Sequence, residues 1–72
     1  MPNLDCKFDE NENPYLFEVD SKGNPIRIVT LLKDGSFKFE PSYESRPEQE
    51  KETFEGNIRD CARGKGWLEH RG

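Results

Sequence analysis

Residues 14–41, PYLFEVDSKGNPIRIVTLLKDGSFKFEP, hold nearly all the strong strand formers of this chain, divided by two turn signals. Tyr15, Phe17 and Val19 alternate with Leu16 and Glu18, the period of a half-buried strand. Asp20-Ser21-Lys22-Gly23-Asn24-Pro25 ends it. Ile26 and Ile28 alternate with Arg27, and then Val29, Leu31 and Leu32 change the phase. A second strand with that pattern is either buried on both sides at its end or bulged. Asp34-Gly35 is a hairpin signal, because glycine takes positive φ without a Cβ clash. Phe37 and Phe39 then alternate with Ser36, Lys38 and Glu40, and Pro41, which cannot donate to a ladder, stops the third strand. These segments predict antiparallel strands near 15–20, 25–32 and 36–40.

A charged helical pattern follows. Ser45-Arg46-Pro47-Glu48 reads as a capping box, with Ser45 at the N-cap and Glu48 reaching back. Glu48, Glu50 and Glu52 lie where the helix dipole favours anions, and Arg59, Arg63 and Lys65 where it favours cations. Phe54, Ile58, Cys61 and Ala62 form one apolar stripe, and Gly64 is placed to end the helix. The expectation is an α+β fold: a small three-stranded antiparallel β-meander packed by one C-terminal α-helix near 46–63. Residues 1–13 read as an acidic N-terminal arm or, because Leu4, Cys6 and Phe8 alternate, a short edge strand. Residues 14–63 form the single domain, and 64–72 a flexible basic and aromatic tail.

Size limits what such a fold can do. With 72 residues, 31% of them hydrophobic and 36% charged, the chain can build one thin core and no deep substrate cavity. The net charge of −4 argues against generic binding to a phosphate backbone and favours a basic partner surface. No apolar run approaches the length of a membrane span, and MPNLDCKFDENENP has no hydrophobic signal core. Cys6 and Cys61 stand near opposite ends of the chain. Without a signal peptide they fit reduced cytoplasmic thiols better than a disulfide, so both are expected to be free.

Metal and catalytic sets are incomplete. Asp9, Asn11 and Asn13 match the first positions of a calcium loop, but Pro14 stands where the loop needs glycine and Asp20 replaces the closing glutamate. Zinc would have to draw on Cys6, Cys61 and His70, with an acid such as Asp5 as a fourth ligand, without any closely spaced cysteine pair. The single histidine lies in the tail, and no nucleophile motif surrounds the serines. The expectation is a non-enzymatic protein with no metal and no cofactor.

Two constellations remain. The aromatic pairs Tyr15/Phe17 and Phe37/Phe39 could form a stacking platform for bases, but so few other apolar residues are available that packing on Phe54 and Ile58 is the expected use of all four. Arg59, Arg63, Lys65, Trp67, His70 and Arg71 make the one cationic patch, with an aromatic interleaved. Its cations also compensate the helix dipole, but Trp67 between two charged stretches is a candidate interface anchor. These six residues are the expected partner-binding site.

In its overall plan, one compact sheet, one charged helix, no catalytic set and charged ends, the chain resembles the very short acidic regulators that bacteriophages use to redirect host machinery. The resemblance implies a protein partner such as a host polymerase, nuclease or defence complex, with inhibition of RNA polymerase the foremost case. The residues themselves support a protein-binding module; with the resemblance, the expectation is a small protein-binding regulator, cytoplasmic and monomeric when free. The alternatives are a nucleic-acid-binding module using the basic C-terminal patch, an acidic nucleic-acid mimic, or a small structural subunit of a larger assembly.

Overall fold

The computed structural model describes residues 4–67. Four strands, β1 (Leu4–Phe8), β2 (Pro14–Val19), β3 (Pro25–Leu31) and β4 (Phe37–Phe39), form an antiparallel sheet in the order β1-β2-β3-β4. A single turn of helix, α1 (Pro41–Glu44), leads into α2 (Glu48–Gly64), which packs across β1, β2 and β3. The fold is therefore α+β with a C-terminal helix, as its turn chemistry requires, but the sheet has four strands rather than three. The extra one is the N-terminal segment. Its Leu4, Cys6 and Phe8 alternation is a true strand period, paired with β2 from Leu4↔Glu18 to Phe8↔Pro14. Acidic residues around those three side chains hide the signal, because a strand at a sheet edge needs only one apolar face.

The first two turns use the same device. Asp9 Oδ1 accepts hydrogen bonds from the backbone N–H groups of Asn11 and Asn13, and Asp20 Oδ1 accepts from those of Lys22 and Asn24. The fourth residue of each turn takes positive φ: Gly23 at 84° and Glu12 at 65°. Asp34 closes the third turn by accepting from the N–H and Oγ of Ser36, with Gly35 at φ 92°.

The phase change in β3 is a bulge. Leu16 pairs with Val29 but Phe17 pairs with Arg27, which leaves Ile28 as the extra residue. Ile28 and Val29 are both fully buried as a result. Around them the core gathers Cys6, Leu16, Leu31, Tyr43, Ile58 and Ala62, with Phe37, Phe39, Phe54 and Trp67 packed partly against it. The helix stripe of Phe54, Ile58, Cys61 and Ala62 thus faces the sheet as its spacing predicts.

Three expectations are corrected. The helical region is broken: Ser45 ends α1 rather than capping a longer helix, and α2 starts after Pro47 with no side-chain cap. Proline disfavours helical backbone in the residue before it, so Arg46-Pro47 forces a corner. Tyr43 anchors that corner, buried beneath it with its hydroxyl donating to Glu18 Oε1 at 2.8 Å and its ring edge-on to Phe54. Cys6 and Cys61 are joined in a disulfide. Distance in sequence concealed that β1 and the last turns of α2 lie side by side. Finally, the four strand aromatics divide. Phe37 and Phe39 pack toward the core, whereas Tyr15 and Phe17 lie on the sheet face turned away from α2, outside the core cluster.

Candidate functional site

The end of α2 is held from both sides. On one side stands the disulfide to β1, and beside it Lys65 Nζ donates to the Cys6 carbonyl at 2.7 Å and lies 3.6 Å from Asp5 Oδ1. Lys65 is thereby committed to fastening the helix end to the edge strand. Backbone groups complete the closure: the Lys65 N–H reaches the Cys61 and Ala62 carbonyls, Gly66 N–H reaches Arg63 O, and Trp67 N–H reaches Ala62 O at 2.9 Å. Gly66 supplies the positive φ of 85° on which this C-terminal cap turns.

That turn brings Trp67 back against the molecule. It is half-buried and packs beside the core instead of extending into solvent. Arg59 and Arg63, one helical turn apart, stand next to it, and the β3–β4 turn rises opposite. Leu31, Lys33, Asp34, Gly35, Arg59, Arg63 and Trp67 line an open groove of about 460 Å³. Leu31 and Trp67 supply its apolar surface. Lys33, Arg59 and Arg63 make its rim cationic, and among the described residues no carboxylate lies within ion-pair distance of any of the three. The Arg59 guanidinium also stands 5.5 Å from the centre of the Phe37 ring, which fixes its direction. Asp34 is the one acid on the groove wall among the described residues. The Ser36 hydroxyl and N–H donate to its Oδ1 and hold its carboxyl below the usual carboxylate range, so it sets one negative charge against the three cations of the rim.

Of the six residues expected to bind a partner, the structure gathers Arg59, Arg63 and Trp67, and sets Lys65 on the opposite side of the helix end. His70 and Arg71 lie outside the described residues. Lys33 and its turn are what sequence reading missed. Lys33-Asp34-Gly35-Ser36 is legible as a turn, but only the packing of α2 shows which residues face it.

The other chemistry is sparse. Asp5, Cys6 and Cys61 bring three ligand-type atoms together, but the two sulfurs are bonded to each other and offer no thiolate to a metal. Burial pushes the Tyr43 phenol above its ordinary range, and its bond to Glu18 adds to that shift; this pair staples α1 to β2, away from the groove. Among the described residues no helix is long and apolar enough to cross a membrane. Comparison with protein-family models, with curated proteins and with solved structures returns no match to this chain.

Proposed function

We propose that this protein is a small non-enzymatic regulator that binds a protein partner through the groove between the end of α2 and the β3–β4 turn. One observation carries the reading: residues from two distant segments, Lys33 on one and Arg59, Arg63 and Trp67 on the other, line a single groove with an apolar floor and a cationic rim. Trp67 is the anchor, since a large aromatic in a partly formed pocket gives much of the energy of an interface. Arg59, Arg63 and Lys33 orient a partner that presents carboxylates. Among the described residues the groove is open and its ionisable lining is Lys33, Asp34, Arg59 and Arg63, which suits a charged protein surface. The Cys6–Cys61 bond persists where thiols are oxidised, so a partner met in a reducing cytoplasm is to be tested against both the oxidised and the reduced chain.

The test is a purified binding assay. RNA polymerase is the first partner to try, as the resemblance to phage regulators implies, and proteins captured on immobilised wild type from a host lysate follow. Trp67→Ala should fold normally by circular dichroism and bind the partner about tenfold more weakly, or about 1.4 kcal/mol. Arg59→Glu with Arg63→Glu should slow association, with the effect fading at high salt. Unchanged affinity in both folded variants would place the interface elsewhere.

A further inference from the structure

The sheet face away from α2 is a second surface, and its composition differs from the rest of the molecule. Strand register sets Lys7, Tyr15, Thr30 and Lys38 in one row across all four strands, because Lys7 pairs with Tyr15, Tyr15 with Thr30 and Thr30 with Lys38. Beside it runs a second row, Asp5, Phe17 and Arg27. The chain is acidic overall, yet this face carries three cations. The one acid in these two rows, Asp5, is matched by Lys65 at the sheet edge. Among the described residues Lys7, Arg27 and Lys38 have no carboxylate partner.

The cations are interleaved with aromatic rings. The Arg27 guanidinium stands 3.9 Å from the centre of the Tyr15 ring, Lys7 Nζ stands 5.3 Å from that of Phe17, and the two rings lie 6.0 Å apart. Phe17 is nearly buried and serves as the base of this layer, while Tyr15 is half-exposed and Lys7, Arg27 and Lys38 are exposed. Three strand spacings separate Lys7 from Lys38, roughly 14 Å. An aromatic and a guanidinium plane flanked by ammonium groups over that span suit an unpaired polyanion whose bases stack and whose phosphates meet the cations.

We propose that this open sheet face binds single-stranded nucleic acid, with a base stacking on the Arg27 guanidinium where it lies over the Tyr15 ring and the backbone held by Lys7, Arg27 and Lys38. The acids of the β1–β2 turn, Asp9, Glu10 and Glu12, and those at the start of α2 repel a phosphate backbone and confine it to this face. A duplex keeps its bases paired and cannot use the stacking surface. The site is separate from the groove at the end of α2, and neither proposal depends on the other.

Fluorescence anisotropy with end-labelled oligothymidylate and oligouridylate of about twelve nucleotides tests it, within the site sizes seen for sheet-based binders. The full oxidised chain should bind both, with a log–log salt slope near −2 for three neutralised phosphates of a single strand. A duplex of the same length and an abasic oligonucleotide should each bind at least about fivefold more weakly. Tyr15→Ala should lose about fivefold or more, and Lys7→Glu with Lys38→Glu, at exposed positions that leave the fold intact by circular dichroism, about tenfold or more. Arg59→Glu with Arg63→Glu should change affinity by less than about twofold, the additive scatter for a distant site. No binding by wild type at low salt, equal binding of the abasic strand or duplex, or a loss in the Arg59/Arg63 variant matching that of Lys7/Lys38 would each overturn the proposal.

Discussion

On the helix side of the sheet, Leu16, Ile28, Val29 and Leu31 are out of water beneath α2, whereas on the other side Phe17 is 6% exposed, with Asp5 and Arg27 opposite it in register and Lys7 and Tyr15 near its ring. The first face is closed by a second layer of structure and a covalent bond. The second is closed by side chains of the sheet itself. Burying an aliphatic side chain fully contributes about 1.5–3 kcal/mol, while an exposed cation over a ring contributes about 0.5–1 kcal/mol. A chain of this size can furnish one true core, and the remaining sheet face must be covered by amphipathic side chains whose stems are apolar and whose heads stay wet. The lesson is that stability is concentrated on one face, which leaves the other free to vary and to bind.

Substitutions on each face test how unequal the two are. The largest effect should come from replacing both cysteines with alanine. The bridge closes a loop of 55 residues' separation, and chain entropy puts its worth at about 4 kcal/mol. Urea midpoints of the double variant against the oxidised wild type measure it, and equal midpoints would mean that the helix is held by packing alone. Ile58→Ala comes next, at about 2–5 kcal/mol, because a fully buried side chain at the centre of α2 leaves a cavity. Phe54→Ala, at a partly buried position against Tyr43, should fall at the lower end of that range.

Tyr43→Phe removes the hydroxyl bond to Glu18 and should cost about 1–2 kcal/mol. This variant also carries a pH signature. The folded-state pKa of Tyr43 is raised, so the folded protein holds the phenolic proton more tightly than the unfolded chain does. That stabilisation is complete below the unfolded pKa near 10 and is lost as pH rises through the folded value. Thermal melts should therefore show a steeper alkaline fall for wild type than for Tyr43→Phe. On the open face, Arg27→Ala should cost no more than about 1 kcal/mol, by differential scanning fluorimetry or urea. If it matches Ile58→Ala, the two faces contribute equally to stability.

Much of the architecture was legible in the residues. The Asp20–Pro25 and Lys33–Ser36 turns delimit β2, β3 and β4 close to where they fall, and the phase change after Ile28 marks the bulge. The stripe through Phe54, Ile58 and Ala62 gives the buried side of α2. What stayed hidden depends on long-range geometry. Three alternating residues in an acidic arm carry too little signal to separate an edge strand from a tail, so β1 stood open between the two. The Ser45–Glu48 spacing fits a capping box in isolation, and the Pro47 corner with its buried Tyr43 overrides it. The aromatic division between faces follows from pairing register, which no local pattern reports. At the candidate site, the helix spacing of Arg59 and Arg63 was readable, while Lys33 and the inward return of Trp67 come from the docking of α2 and its glycine cap.

The disulfide also changes what a protease can do to this molecule. Cys6 and Cys61 enclose all three hairpin turns and the α1–α2 corner. The exposed backbone at Glu10–Glu12, Ser21–Gly23 or Asp34–Gly35 therefore lies within a covalent ring. A single cut at any of these tips opens the ring without releasing a fragment, and the two pieces stay tethered through sulfur. Resistance to fragmentation is then a property of connectivity rather than of folding free energy, and it vanishes on exposure to a reductant.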